Sequence, residues 1–474
     1  MVKWLPSARL SALGGVLARR ILLVEPAYKS SYPPLGLMKL AAYHKQQEDE
    51  VRFVRGCDHS ASIEYWDRIY ITSLFTYDWA KVIAAVKFYK DNLFGSAAGR
   101  LFVGGIAATL LPDQLYNETG LYPIRGPLMT ARQIDEANDT CIDELVPDYS
   151  ILSQVAHEYR YGTSFIGRTT RGCIRRCSFC AVPTIEPEND DYLDFKPSAE
   201  GIKKQIGDQA ELLLLDNNVL SSARLVEIVD DLVALGFSSG AKINGRMRTV
   251  DFNQGLDARL INEQTAEQLA RLPLKPVRIA YDRSSSREVF EKAVRQINAV
   301  GFTNLSNYML YNFDDEPVEL WERIHHCVEL SEELGIKIWS FPMRYIPITD
   351  TTRGHVGPHW NRRLLRGVQC VSLVTRGAIS ARHDFFHKAF GDTPEKFTEI
   401  LSMPDRYIIQ RAKHEGNGAS EWRGLYEELT SEQRNELWSL TSRTGCLQLK
   451  ATLEMIEDKP MRDIVSHYVE YRWR

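Results

Sequence analysis

The chain has 474 residues, which is longer than one ordinary domain and predicts two or three domains. Apolar residues make up 44% and charged residues 25%, the usual balance of a globular protein, and the formal net charge is −4. That charge disfavours a large surface for nucleic acid or for an acidic membrane. No apolar run is long enough to span a bilayer, and eight cysteines are too few for a disulfide framework, so we expect a cytoplasmic protein.

Strand patterns that alternate with helical patterns run from Ile21 to about residue 150. The first 20 residues are basic and faintly amphipathic, and we interpret them as an N-terminal extension. The strand patterns begin at Ile21, Val51, Asp67 and Arg100. Short apolar strands between helices are typical of a parallel sheet, so residues 21–150 are predicted to form a Rossmann-like, doubly wound α/β domain.

A second alternating series covers residues 151–349. Its six strand patterns begin at Ser164, Glu211, Thr249, Val277, Asn304 and Ile336. Six β/α units fall short of the eight that close a full barrel, which predicts a partial (β/α)6 barrel. Helical patterns dominate afterwards, so residues 350–474 are predicted to form a mostly helical C-terminal domain.

Three cysteines lie close together directly after the first strand of the second series. Cys173, Cys177 and Cys180 have the spacing C-x3-C-x2-C, on a loop where barrel folds place their chemistry. Three thiolates can hold three irons of a [4Fe–4S] cluster and leave the fourth iron open. A structural zinc site needs four ligands, and the sequence offers no fourth cysteine or histidine close by, since His157 precedes the strand. The spacing therefore favours an iron–sulfur cluster over zinc and over three unrelated thiols.

This loop, with Phe179 before its last cysteine and the six β/α units, resembles the radical SAM superfamily over about residues 160–348. The resemblance implies that Cys173, Cys177 and Cys180 bind a [4Fe–4S] cluster, which cleaves S-adenosylmethionine reductively. It places Phe179 beside the cofactor. It also implies an external one-electron reductant of the flavodoxin or ferredoxin type, because reductive cleavage consumes an electron. The protein itself mainly orients the cofactors.

Further cofactor contacts follow from the same resemblance. After its second barrel strand the family carries a short stretch that binds the methionine amine, and here Asp216, Asn217 and Asn218 occupy that place. The third strand carries Asp257 and Arg259. Arg259 could hold the methionine carboxylate in a two-pronged contact, or it could pair with Asp257 instead.

Two other groups of residues are weaker candidates. The fourth and fifth strands carry candidate contacts for ribose or substrate, which are expected to point toward the barrel mouth. They are Tyr281, Asp282, Arg283 and Asn307. After the sixth strand, His383 and His387 are four residues apart and would share a helix face. They could bind a metal or form part of a solvated, slightly basic surface.

The order EPAY, YPPLG, SLFTYDW and VGG resembles the cobalamin-binding domain fused before many radical SAM modules, over about residues 20–125. The resemblance implies cobalamin as a further cofactor at the strand ends, with Gly104 and Gly105 letting backbone approach a flat ligand. Cobalamin mutases supply a cobalt ligand from an Asp-x-His-x-x-Gly motif, which the Asp58-His59 pair does not match. His59 is therefore expected to be an ordinary loop residue, and the domain could also be vestigial.

Four functions remain open on this evidence. The first is a cobalamin-dependent radical SAM enzyme, for instance a methyltransferase, and the second is a radical SAM enzyme whose N-terminal domain is vestigial. A methylthiotransferase ranks lower, since Cys57 and Cys141 are too few for a second cluster. A non-enzymatic iron–sulfur protein would not need a six-unit barrel. We therefore predict a radical SAM enzyme acting on an unidentified substrate, with a small molecule favoured over nucleic acid.

Overall fold

The computed structural model describes residues 18–93, 99–380, 382–442 and 446–469. The structure is mixed α/β with parallel sheets, and it divides into two compact units. The first unit comprises Met1–Val250 with Ile348–Arg353, and the second comprises Asp251–Pro347 with Gly354–Arg474. Most of the predicted N-terminal extension, residues 1–17, lies outside the described residues, and the domain boundaries near 150 and 349 stay predictions. Among the described helices, none is both long and apolar enough to cross a membrane.

The first unit begins with a four-stranded parallel sheet in the order β2-β1-β3-β4. Its strands are β1 (Arg20–Glu25), β2 (Glu50–Arg55), β3 (Arg68–Ser73) and β4 (Leu101–Gly105). The helices between and after them are α1 (Leu35–Gln46), α2 (His59–Ser62), α3 (Trp79–Asp91), α4 (Ile106–Leu110) and α5 (Pro112–Thr119). Alternate strand residues and the inner face of α3 form one apolar core that includes Leu22, Val24, Ile71, Val82, Val86 and Val103. All four predicted strands of this region are confirmed.

The first unit also contains the strand that precedes the cysteine loop. Strands β5 (Phe165–Gly167), β6 (Glu211–Leu214) and β9 (Thr249–Phe252) form a sheet in the order β5-β6-β9. The helices here are α6 (Val182–Ile185), α7 (Lys196–Ile206) and α8 (Leu225–Ala234). A short hairpin of β7 (Lys242–Ile243) and β8 (Arg246–Met247) was not predicted, because two-residue strands leave no periodic pattern.

The second unit contains a three-stranded parallel sheet, followed almost entirely by helices. Strands β10 (Val277–Ala280), β11 (Asn304–Tyr311) and β12 (Lys337–Arg344) pair in that order. The helices of this part are α9 (Glu263–Ala270), α10 (Arg287–Ala299) and α11 (Pro317–Leu334). The C-terminal helices are α12 (Arg362–Val374), α13 (His383–Phe390), α14 (Pro394–Ser402), α15 (Asp405–Ile409), α16 (Arg411–His414), α17 (Ser420–Glu428), α18 (Ser431–Thr441), α19 (Cys446–Glu454) and α20 (Lys459–Ser466). The six strands predicted for residues 151–349 are all present, and so is the helical C-terminal part.

A buried arginine on α11 joins the ends of two strands in the second unit. Arg323 is 1% exposed. Its Nη1 donates hydrogen bonds to the carbonyl oxygens of Asp282, at 2.7 Å, and Leu310, at 2.8 Å. Its Nη2 donates to the carboxylate of Asp315 at 3.1 Å. One guanidinium therefore satisfies backbone acceptors that the sheet itself leaves unpaired where β10 and β11 end.

A buried histidine lies near the amino-terminal ends of β2 and β3 in the four-stranded sheet. His44 is fully buried on α1, and its Nδ1 lies 2.7 Å from an oxygen of Asp49. Its Nε2 lies 3.0 Å from the hydroxyl of Tyr70, which also accepts a hydrogen bond from Arg68. Burial lowers the pKa of His44 to about 4, with Arg19 and Arg68 acting in the same direction and Asp49 against it.

This histidine predicts a loss of stability in mild acid. An unfolded chain takes up a proton on His44 near pH 6.5, whereas the folded chain does so only near pH 4. The free energy of unfolding should therefore fall as the pH decreases through this window, by up to about 3 kcal/mol. Urea unfolding of the wild type and of His44→Gln, near pH 7 and near pH 5, checks this. The idea is wrong if both proteins lose the same stability between the two pH values.

Candidate metal centre

The cysteine loop starts two residues after β5 and is anchored at its entry by Asp216. Oδ1 of Asp216 accepts hydrogen bonds from the backbone N–H and the side-chain hydroxyl of both Thr169 and Thr170, at 2.5 to 2.9 Å. Its Oδ2 is buried with no hydrogen-bond partner within the described residues. Burial raises the pKa of Asp216, and the hydrogen bonds oppose that shift. The aspartate predicted to bind the methionine amine thus ties the residues after β6 to the beginning of the loop.

Gly172 immediately precedes the first cysteine and occupies a position that only glycine fits. Its φ is +73°, and a Cβ atom built on it would lie 2.2 Å from the carbonyl oxygen of Glu188. The returning chain is held there by two backbone hydrogen bonds between Arg171 and Asp190, of 3.0 and 3.1 Å. The loop therefore closes on itself at its base, directly beside Cys173.

Substitution of Gly172 by alanine should open this closure. Alanine would pay about 1–2 kcal/mol for the left-handed backbone and roughly 1–3 kcal/mol more for the contact with Glu188. We expect a lower iron content after reconstitution and a lower melting temperature. The matched control is Gly240→Ala, where φ is +77° and no atom lies within 4 Å of the added Cβ. Equal effects of the two substitutions would contradict the role given to the contact with Glu188.

All three cysteines of the loop are half-buried. The sulfur of Cys173 lies 3.3 Å from the backbone nitrogen of Arg175 and 3.5 Å from Nδ2 of Asn218, and both nitrogens donate to it. The N–H of Cys180 donates to the carbonyl oxygen of Cys177 at 3.0 Å, which makes a tight turn of the second half of the loop. Phe179 is half-buried within this turn.

The cysteines of an iron–sulfur cubane bind different iron atoms, so their sulfurs need not converge on a single ion. As they stand, the described residues contain no group of three or more His, Cys, Asp or Glu side chains arranged to bind a metal ion. The donor set nevertheless fits an iron–sulfur cluster, because it consists of three thiols on one loop with N–H groups directed at sulfur. The fit is therefore one of chemistry and sequence position.

Glu186 connects three parts of this site, and sequence reasoning missed it. It lies at the end of α6, and its Oε2 accepts hydrogen bonds from the N–H of Gly172, at 3.0 Å, and from Nδ2 of Asn217, at 2.7 Å. Its Oε1 pairs with Arg168, which follows β5. Asn217, predicted as a methionine contact, is thereby held to the base of the cysteine loop. No periodicity or motif in the sequence indicates this role of Glu186, which is evident only from its contacts in the folded structure.

A chain of ion pairs links α1 to the base of the loop. Arg171 is 7% exposed and pairs with the carboxylate of Asp143, and Asp143 in turn pairs with Lys39 of α1 at 3.2 Å. Burial tends to raise the pKa of Asp143, but Lys39, Arg168 and Arg171 outweigh it, and the pKa is lowered. The carboxylate is therefore charged at neutral pH, and it connects the region of the four-stranded sheet to the cysteine loop within one compact unit.

Asp257 and Arg259 belong to the second unit and pair with each other. Nε of Arg259 donates to one oxygen of Asp257 at 2.6 Å, and Nη2 donates to the other at 2.9 Å. The side chain of Arg259 is 50% exposed, whereas that of Asp257 is 8% exposed. Of the two contacts predicted for Arg259, the structure contains the one with Asp257. Its role toward a methionine carboxylate stays a prediction.

The expectation that Tyr281 and Asn307 point toward a barrel mouth is wrong. The ring of Tyr281 stacks on Phe290 of α10, and its hydroxyl lies 3.1 Å from His326 of α11. Nδ2 of Asn307 donates to the sulfur of Cys327 on α11 at 3.2 Å. Alternate residues of a strand face opposite sides, and Asn307 falls on the side that packs against the helix. The segment from Tyr281 to Arg283 follows β10, which ends at Ala280.

His383 and His387 share one face of α13, as predicted. Their Nε2 atoms lie 2.7 Å apart, and Nδ1 of His387 lies 2.7 Å from a carboxylate oxygen of Asp392. No third metal-binding side chain completes the pair within the described part of the chain. The structure thus shows two imidazoles in mutual contact on the protein surface.

The carboxyl ends of the four-stranded sheet are filled by the protein's own groups. Glu25, the last residue of β1, is 1% exposed and accepts hydrogen bonds from Nε of Arg55, at 2.6 Å, and from the hydroxyl of Tyr159. Strand order reverses between β1 and β3, where doubly wound sheets bind ligands, and there Tyr28 packs edge-to-face against Phe75.

Gly105 lies close to the neighbouring strand. Its φ is +94°, and a Cβ atom there would lie 2.3 Å from the carbonyl oxygen of Ser73. The glycine therefore permits the close approach of β3, and the role predicted for it toward a flat ligand stays a prediction. His59 begins α2 and packs edge-on against Phe88. None of these contacts is explained by a corrin ring, and cobalamin stays a prediction.

No protein-family model matches the chain, and no curated protein matches it. Among solved structures, the chain is similar to the cobalamin-dependent S-adenosylmethionine radical enzyme OxsB with aqua-cobalamin and S-adenosylmethionine bound: the TM-score is 0.47 at 13% identity, covering 96% of this chain and 75% of OxsB. It is also similar to HydG, a maturase of the [FeFe]-hydrogenase, with a TM-score of 0.34 at 12% identity, covering 77% and 92%. TM-scores this low do not establish a shared fold.

Proposed function

We propose that this protein is a radical SAM enzyme in which Cys173, Cys177 and Cys180 hold a [4Fe–4S] cluster. The observation that carries the proposal is the set of three half-buried cysteines on one loop after a parallel strand. The sequence contains no other cysteine or histidine between His157 and His325, so the loop supplies three ligands and no fourth. When bound, such a cluster supplies the electron that cleaves S-adenosylmethionine.

The protein's own residues then build and fix the site. Glu186 and Asp216 hold the base of the loop, and Asn217 is tied to that base by its hydrogen bond to Glu186. The buried, partnerless Oδ2 of Asp216 is an acceptor suited to an ammonium group, which supports its proposed contact with the methionine amine. The contact of Arg259 with the methionine carboxylate, which its pairing with Asp257 would have to give way to, is proposed from the family resemblance alone.

Anaerobic reconstitution followed by turnover tests this proposal. The wild-type protein should bind about four irons per chain, and with S-adenosylmethionine and a strong reductant it should release 5′-deoxyadenosine or S-adenosylhomocysteine. Failure to take up a cluster would refute the metal assignment. A full cluster without either product would leave a non-enzymatic iron–sulfur protein.

We also propose a small-molecule substrate, a flavodoxin- or ferredoxin-type reductant and, for methyl transfer, cobalamin as a further cofactor. Methyl transfer requires cobalamin in this scheme, and purification with hydroxocobalamin followed by gel filtration decides it. Retention of the cobalamin absorbance with the protein would support methyl transfer, and its loss would support a radical enzyme whose four-stranded sheet is only a scaffold.

A further inference from the structure

The side chain of Asn218 donates a hydrogen bond to a cysteine sulfur of the loop. Asn218 is 4% exposed, and its Nδ2 lies 3.5 Å from the sulfur of Cys173. An amide nitrogen is a donor only, so the hydrogen bond runs from Asn218 to sulfur. The same sulfur also accepts from the backbone N–H of Arg175 at 3.3 Å.

The backbone of Asn218 is fixed, which keeps its amide directed at the loop. Its carbonyl oxygen accepts hydrogen bonds from the N–H of Ser221, at 3.1 Å, and from the hydroxyl of the same serine, at 2.7 Å. The preceding residue, Asn217, is held by Glu186. The side chain therefore cannot withdraw from Cys173 by a simple shift of the chain.

A donor placed in this way has an electronic consequence once the sulfur is a cluster ligand. A thiolate accepts a stronger, charge-assisted hydrogen bond than a thiol does. Hydrogen bonds to the sulfurs are among the factors that set the reduction potential of an iron–sulfur cluster. Because reduction adds negative charge, a donor stabilises the reduced state more than the oxidised state and raises the potential.

We infer that Asn218 is a positioning residue that donates a hydrogen bond to the Cys173 thiolate and raises the reduction potential of the cluster. This inference rests on the proposed function. It differs from the methionine contact suggested by resemblance, because it acts on the cluster before S-adenosylmethionine binds. The two roles can therefore be separated by a measurement made without that cofactor.

The test is a redox titration of reconstituted protein, monitored by EPR in the absence of S-adenosylmethionine. Asn218→Leu removes the donor at similar volume, and Asn218→Asp replaces it with an acceptor. The midpoint potential should become more negative from wild type to Asn218→Leu to Asn218→Asp. The matched control is Asn92→Leu, an exposed asparagine at the end of α3, which should leave the potential unchanged.

The outcomes separate this inference from the function on which it rests. A wild type without a [4Fe–4S] cluster refutes the proposed function. A wild type with a cluster, together with loaded Asn218 variants at an unchanged potential, refutes only the inference. The inference is also refuted if the Asn218 variants differ from the wild type only in their affinity for S-adenosylmethionine. Loss of the cluster in both variants, with normal loading of the wild type, also overturns it, since Asn218 would then be needed for assembly.

Discussion

Replacement of Cys177 by alanine should leave the protein unable to hold its cluster and therefore unable to cleave S-adenosylmethionine. A cubane retained by two cysteines has two irons without a protein ligand, so we expect the iron content to fall from about four per chain to a small fraction of that. The visible absorbance of the cluster and the formation of 5′-deoxyadenosine should disappear with it. Iron analysis and product analysis of the reconstituted variant measure both effects.

The matched control is Cys57→Ala. Cys57 is an exposed free thiol in the same compact unit, away from the C-x3-C-x2-C loop in sequence. This variant should reconstitute and react like the wild type. A full cluster in Cys177→Ala, or equal losses in the two variants, would show that the loop is not the cluster site.

Replacement of Arg323 by leucine should cause the largest loss of stability in the second unit. The substitution leaves the carboxylate of Asp315 buried without its partner, and it leaves the carbonyl oxygens of Asp282 and Leu310 unsatisfied. Removal of one partner of a buried ion pair costs about 3–5 kcal/mol. Thermal and urea unfolding should therefore show an early transition, and expression at ordinary temperature should decline.

A surface arginine gives the comparison. Arg295 also pairs with two carboxylates, those of Glu291 and Glu333, but it lies on the exposed side of α10. Solvent screens such pairs, so Arg295→Leu should change the unfolding transition little. If the two leucine variants unfold alike, the stabilising role assigned to Arg323 is wrong.

The strands and the cysteine loop could be predicted because they leave local patterns. Runs of apolar residues identified ten strands, and the spacing of Cys173, Cys177 and Cys180 identified the loop without any structure. The pairing of Asp257 with Arg259 could also be anticipated, because residues two positions apart can reach each other. Each of these signals lies within a short window of sequence.

Contacts between distant segments could not be predicted. Asp216 lies 46 and 47 residues from the two threonines that it binds, and Glu186 binds Gly172 and Asn217, which are 14 and 31 residues away. The close contact of Gly105 with the backbone of Ser73 depends on the pairing of β3 with β4, which brings together residues 32 positions apart. The face on which Asn307 falls depended on the register of β11, which a single sequence does not reveal.

The ion pairs from Lys39 through Asp143 to Arg171 limit how the protein can be dissected. A fragment that begins at residue 151, the predicted start of the barrel, would retain the buried guanidinium of Arg171 but lose the carboxylate of Asp143. It would also lose Val146, which packs directly against Gly201 of α7. The cysteine loop therefore cannot be exchanged as a module at that boundary, and a chimera that preserves it has to include α1 together with the segment that carries the loop.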